Sequence, residues 1–487
     1  MSVTLKIINN FNSSVANGTD YFDKHYGDDE VWLFFLKTSG KITYTDASKN
    51  VTKTVTDASS IQLSTVKDGT FTLATVEKSA KLFAGLGTTS PFSGTDGPSA
   101  YQADAPYALA EWTIQGNVND NIDISYIDSF SFPTVATITN SSGTQTGKSG
   151  FLAGTKASDV ITAFKTLIDT KPVGPNNSQK PTSGQDGYGP EVPTVSGNSS
   201  AVRWVGSSKY YITAPNSNNN RSMYTYAPSF HGYLKYLQEN QPTSQTNDGL
   251  IEGWFIDYSG NNGYSGFLKI TGSDEDGYGL EVHTIRVNTK PSAANNWKAD
   301  PNAGTKTSGK ITVAANNTTL DYVFEPVPTV NHVTGMWTDA VIYSGAGLLS
   351  PPGEGPVITG TGDFAPGGTQ NVIVATFIAS VSASITTGLL GSQMYQDGYA
   401  ETPNPKGTMY WFQTLSREES MQKLFGNAWS GNVGVFYDPF WAVLAGVTNN
   451  QGYLSPFNDR WSNFSPDLGL TAGDTIQWEL GLTKKSS

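Results

Sequence analysis

Apolar residues recur at every second position near both ends of the chain and at helical spacing in its middle. A chain patterned in this way builds sheets from its termini and helices from what lies between. Val3 to Asn9 alternates, Val31 to Lys37 is aromatic and apolar, and Lys41 to Tyr44 with Val51 to Val55 reads as a hairpin pair. Thr70 to Val76 and Lys81 to Leu86 follow at short spacing, with Asp68-Gly69 as an expected turn, and Thr475 to Leu480 restores the alternation at the far end. Between them, Val160, Ile161, Phe164, Leu167 and Ile168 repeat at helical spacing over Ala157 to Thr170, behind Ser158 as N-cap. Further helices are expected at Ser229 to Glu239, with Phe230, Tyr233, Leu234 and Leu237 on one face, and at Ser416 to Phe425, which opens on a capping box. Lys171 to Ser200 reads as a long surface loop and Tyr210 to Thr213 as a strand. The fold class that follows is mainly β with an inserted α/β region. Residues 1–150 with 450–487 would form one domain, and 151–449 a mixed α/β insertion.

Composition removes many functions. With Cys 0, the chain has no disulfide, no thiolate metal site and no thiol nucleophile. The four His, at His25, His231, His283 and His332, lie far apart, and no His-Glu-x-x-His, P-loop, Gly-x-Ser-x-Gly elbow or dinucleotide fingerprint is present. No metal or cofactor is therefore expected. A net charge of -12 without a Lys/Arg cluster argues against nucleic acid as a partner. Met1 to Asn10 lacks the charged start and apolar core of a signal peptide. The uncharged run Val372 to Leu390 carries too many hydroxyls for a lipid span, so no membrane partner is expected, although the alternation from Ser380 to Thr386 also fits a strand or the hairpin of a pore-forming protein. Asp186 to Thr194 and Asp276 to Thr284 are near-identical nonamers, read as a Gly-rich turn used twice, with a weaker fragment at Asp397 to Glu401.

Carboxylates are what remain for acid and base work. Glu111-Trp112-Thr113 and Asp123 to Asp128 read as successive strands joined by a turn at Gly116 to Asn121. Glu111 and Thr113 then share a face. In the second strand, Asp123, Ser125 and Ile127 face one way, while Ile124, Tyr126 and Asp128 face the other. A hairpin would bring Glu111 near one of the aspartates. Two carboxylates flanking one bond are what glycoside hydrolysis requires.

Asp68-Gly-Thr-Phe-Thr-Leu73, Lys81-Leu-Phe-Ala-Gly-Leu86, Glu111-Trp-Thr113 and Asp123-Ile-Ser-Tyr-Ile-Asp128 with Phe132-Pro133 resemble, in this order, glycoside hydrolase family 64, the β-1,3-glucanases with a thaumatin-like barrel. Tyr211 to Asn216, the helix Phe230 to Leu237 and Gln451 to Asp459 continue the resemblance downstream. It implies a thaumatin-like β-sandwich or barrel domain and a mixed α/β domain that together form a wide groove. A β-1,3-glucan would be cut there, by inversion, without a metal, in a secreted or extracellular monomer. Glu111 matches the family's general acid, Asp128 its general base, and Thr113 a sugar-contacting position. Trp112 stands where the family has Phe, and cysteine is missing where family members often have disulfides.

Indole and phenol faces stack on sugar rings, which adds Trp112, Tyr126 and Trp204 to the expected substrate contacts beside Asp123 and Asp459. Trp254, Trp411, Trp429 and Trp461 and the pair Tyr210-Tyr211 are further candidates. Two rivals remain at this point: a noncatalytic glucan-binding or defence protein on the same scaffold, and a pore-forming or insecticidal protein.

Overall fold

The computed structural model describes residues 2–12, 26–38, 42–74, 77–92, 106–118, 120–127, 129–157, 159–160, 162–164, 204–206, 230–239, 251–256, 262–273, 277–289, 322–324, 358–359, 383, 385–388, 425, 437–455, 458 and 467–482. The chain is mainly β. Its first strands are β1 (Ser2–Asn9), β2 (Val31–Leu36), β3 (Ile42–Asp46), β4 (Thr52–Thr54), β5 (Ser59–Gln62) and β6 (Val66–Ala74). They are followed by β7 (Glu77–Leu86), β8 (Tyr107–Ile114), β9 (Asn121–Ser125), β10 (Ser129–Phe130), β11 (Thr134–Thr139), β12 (Gln145–Gly150) and β13 (Trp204–Val205). After helix α1 (His231–Glu239) come β14 (Ile251–Ile256), β15 (Asn262–Ser273), β16 (Gly277–Thr289), β17 (Tyr322–Phe324) and β18 (Ile358–Thr359). Helix α2 (Pro439–Thr448), β19 (Leu468–Gly469) and β20 (Thr475–Leu480) close the chain.

Two large sheets carry the core. A seven-stranded sheet has the order β12-β11-β20-β1-β6-β3-β4, and a six-stranded sheet the order β19-β9-β8-β7-β2-β5. The alternation read from the sequence is the alternation of burial. Val3, Leu5 and Ile7 of β1 and Ile476, Trp478 and Leu480 of β20 are buried on one face. β20 pairs in parallel with β1 and antiparallel with β11, so the C-terminal strand completes the sheet that the N-terminus begins. Phe35 of the six-stranded sheet meets Phe71 of the other with ring centroids 5.2 Å apart, inside the layer shared by both.

Several expectations need correction. Asp68-Gly69 is no turn between strands; it lies within β6, both residues at positive φ, where the pairing of β3 with β6 slips between Tyr44 and Asp46. The extra residues make a bulge, and Gly69 is required there because a Cβ would sit 2.5 Å from the Ile7 carbonyl oxygen. The second nonamer is strand from Gly277 onward, paired with β15, so it is not a turn. Ala383, Ile385 and Thr386 are helical and buried, and the hydroxyls of Thr386 and Thr387 donate to the Ala383 carbonyl at 3.1 and 2.8 Å. At 383 and 385–386, helix with hydroxyls bonded to its own backbone stands where a strand was expected; 380–382 and 384 lie outside the described residues. Among the described residues no helix is long and apolar enough to cross a membrane.

The helix expected near 229–239 is α1, with Phe230, Tyr233, Leu234 and Leu237 buried. Residues 157, 159–160 and 162–164 are helical, but the helix already includes Ala157, and the N–H groups of Asp159 and Val160 donate to the Lys156 carbonyl, so it begins before the N-cap expected at Ser158. Helix α2 was not anticipated. Asp438 caps it, accepting from the backbone N–H of Phe440 at 2.9 Å, with Pro439 in the first turn, and Asn449 ends it at φ 53. The loop Lys171 to Ser200, the strand Tyr210 to Thr213, the first nonamer, the fragment 397–401 and all of Ser416 to Phe425 but Phe425 lie outside the described residues.

Burial also fixes how the fold responds to alkali. Desolvation raises the Tyr126 phenol well above its ordinary value and pushes Tyr437 up to about 12. Both phenols stay neutral in the folded chain while the unfolded chain ionises from about pH 10, so stability falls as pH rises from there toward the folded-state values. Thermal melts between pH 8 and 12 should show that decline, and Tyr437→Phe should make it shallower. An unchanged slope in that variant would show that Tyr437 is not kept neutral by burial.

Candidate functional site

The outer face of the six-stranded sheet changes character along its strands. Toward one end, Phe34, Leu36, Phe83, Phe92, Tyr107 and Leu109 form an apolar cluster. Toward the other, on the same face, stand Lys81 of β7, Glu111 and Thr113 of β8, and Asn121 and Asp123 of β9, all partly exposed. The register places them in rows: Lys81 is directly opposite Glu111, Glu111 is directly opposite Asp123, and Thr113 is opposite Asn121. Direct opposition brings Cβ atoms to about 4.5–5.5 Å.

The row depends on a turn residue that sequence reasoning passed over. Asp120 is buried, and its carboxylate accepts from the backbone N–H groups of Gln115 at 2.7 Å and Gly116 at 2.8 Å. Gly116 sits at φ 79, the left-handed region that favours glycine. Together they set the β8–β9 hairpin, and a one-residue slip would send Glu111 or Asp123 to the core face. An Asp a few residues after a turn Gly was the available signal.

Lys81 Nζ lies 3.1 Å from Glu111 Oε1, with side-chain exposures of 28% and 27%. The contact partly neutralises a row in which like charges otherwise face each other across the strands. Among the described residues no group of three His, Asp or Glu could hold a metal ion.

Beyond Ser125 the second strand ends, and β10 resumes at Ser129. Asp128 lies outside the described residues, as does Asp459. Backbone hydrogen bonds hold the chain at 126 and again at 129–130. Tyr126 N–H donates to the Tyr453 carbonyl at 2.8 Å, and Tyr453 N–H donates to the Ile124 carbonyl at 2.9 Å, so Gln451 to Ser455 runs beside the end of β9. Asn458 Oδ1 accepts from the backbone of Leu454 and Ser455 at 3.0 and 2.7 Å and shapes that run. On the other side, β10 pairs with β13, which sets Phe130 opposite Trp204, the described part of Trp204 being its backbone. Gly206 follows, and a Cβ there would stand 2.2 Å from the Ile127 carbonyl oxygen, so only glycine lets this segment lie against 127.

Two expected sugar contacts are corrected. Trp112 is 1% exposed and its ring meets Phe35 edge-on at 6.4 Å, on the core face opposite to Glu111. Tyr126 is 2% exposed, its hydroxyl bonded to Thr134 and its ring edge-on to Phe151 at 5.0 Å. Neither ring offers a face to a ligand. Trp254 is placed in β14 by its backbone, while Tyr210, Tyr211, Trp411, Trp429 and Trp461 lie outside the described residues.

No protein-family model and no curated protein matches the sequence. Among solved structures, the chain is similar to a β-1,3-glucanase domain (GH64) from Clostridium beijerinckii, with 13% identity over 99% of this chain and 98% of that one and a TM-score of 0.47. A laminaripentaose-producing β-1,3-glucanase in complex with laminaritetraose shows 12% identity over 99% of both chains, with a TM-score of 0.48. A family 64 laminaripentaose-producing β-1,3-glucanase from Paenibacillus barengoltzii shows 17% identity over 35% of this chain and 44% of its own, with a TM-score of 0.24.

Proposed function

We propose that the chain is an endo-acting β-1,3-glucan hydrolase in which Glu111 and Asp128 are the catalytic carboxylates. The observation that carries the proposal is the placement of Glu111. It stands on the partly open end of a sheet face, beside Thr113 and opposite Asp123, within the run of motifs that resembles family 64. In the proposed reaction, Glu111 delivers a proton to the glycosidic oxygen as the bond from that oxygen to C1 breaks. Asp128 takes a proton from the water that attacks C1 from the opposite side, and the product is inverted. Thr113 and Asp123 would bond the sugar hydroxyls, with Trp204 and Asp459 as further contacts. The net charge of -12 suits a neutral polymer better than an anionic one. Domains of 1–150 with 450–487 and of 151–449 would flank the groove, and a polymeric substrate implies action outside the cell.

Incubation of the full chain with laminarin, followed by chromatography of the soluble products, tests the reading. Release of short oligosaccharides whose new reducing ends are α-anomers is the expected result. Sedimentation with insoluble β-1,3-glucan without any soluble product would replace hydrolysis with binding alone, and neither binding nor release would remove glucan altogether.

A further inference from the structure

We propose that Lys81 is a positioning residue for Glu111, holding that carboxylate for proton transfer and countering the charge that grows on it. The proposal rests on the catalytic reading of Glu111 given above.

Three features point to Lys81. Its ammonium donates to Glu111 Oε1 at 3.1 Å, which holds one carboxylate oxygen. The pairing is set by the backbone, because Lys81 and Glu111 are register partners in the β7–β8 ladder, so the contact needs no long flexible reach. On its other side, Glu111 faces Asp123, and like charges directly opposite each other on adjacent strands repel. The order across the sheet is thus Lys81, Glu111, Asp123, and once Glu111 has given up its proton Lys81 offsets its repulsion with Asp123.

The chemical consequence follows from where charge develops. Glu111 is a carboxylic acid before it gives its proton to the leaving oxygen and a carboxylate after it, and Lys81 is in contact with it on the side away from Asp123. A carboxyl group held in one orientation by that contact stays aligned with the leaving oxygen, so losing the contact lowers the rate and not the binding of the sugar. Lys81 touches Glu111 and needs no contact with the sugar.

The experiment compares Lys81→Met, Lys81→Arg, Glu111→Gln and the double variant Lys81→Met/Glu111→Gln on laminarin, using the full chain. Lys81→Met should lower kcat by about 10- to 100-fold, the range for losing a well-held catalytic geometry, with KM within about twofold of wild type. Lys81→Arg should restore most of the rate, since it keeps the charge and the donor. The double variant should be no slower than Glu111→Gln alone, because the two residues act as a unit. An unchanged kcat in Lys81→Met beside an inactive Glu111→Gln would overturn the role of Lys81 and leave the catalytic reading intact. A Lys81→Met loss that Arg does not restore and that comes with a lower melting temperature would show a structural role only. Full activity in Glu111→Gln would remove both proposals together.

Discussion

Glu111→Gln is expected to lower laminarin hydrolysis by about 10² to 10⁴-fold, the range for a positioned general acid or base. The substitution keeps the shape of the side chain and removes only its capacity to give or take a proton. Its structural cost is small: the contact broken is one partly exposed ion pair with Lys81, of a kind worth at most about 1 kcal/mol. The melting temperature should therefore hardly move while activity collapses, and that combination separates a catalytic carboxylate from a structural one. Asp128→Asn should behave in the same way toward laminarin.

The two variants part company on an activated substrate. An aryl β-1,3-oligoglucoside has a leaving group that departs without help from a proton, so loss of the general acid matters little while loss of the general base matters as before. Glu111→Gln should hydrolyse such a substrate far better than laminarin, and Asp128→Asn should fail on both. The reverse pattern would exchange the roles of the two residues. Laminarin hydrolysis at wild-type rate by either purified variant would remove that residue from the mechanism.

How much of this was legible in the sequence differs from residue to residue. Period-two alternation placed Glu111 and Thr113 on one strand face with Trp112 on the other, and burial follows that division. The same alternation leaves open which face is the core, and for that reason Trp112 was expected at a sugar although its own period sent it inward. Lys81 stood in plain view in the motif Lys81 to Leu86, yet its contact with Glu111 depends on the register between β7 and β8, which no local pattern encodes. That of Asp123 against Glu111 depends on the Asp120 turn, a short-range device visible in principle. Helix α2 was missed because Pro439 to Thr448 is apolar nearly all round, and a helix without a polar face shows no 3.6 stripe; Asp438 followed by Pro439 was its only marker. Alternation from Ser380 to Thr386 misled for the opposite reason, since a few residues of polar and apolar in turn fit a strand as well as a helix that bonds its own hydroxyls.

Trp112 provides the second large effect, this time on stability. Trp112→Ala should cost about 3–5 kcal/mol, as expected when a large buried aromatic side chain is deleted and its neighbours close only partly over the space. Trp112 is among the largest fully buried side chains, and its indole N–H has no hydrogen-bond partner among the described residues. Trp112→Phe should therefore be far milder. It leaves a smaller void, retains an aromatic edge for Phe35, and removes a buried donor that lacks an acceptor, a group whose burial is itself costly. The losses and gains nearly offset, so a change within about 1.5 kcal/mol is expected, together with wild-type kcat and KM on laminarin. Chemical denaturation of the two variants measures the first pair of values, and steady-state kinetics the second. A Trp112→Phe protein of unchanged stability whose KM for long oligosaccharides rises severalfold would put the indole against the sugar and overturn its place in the core.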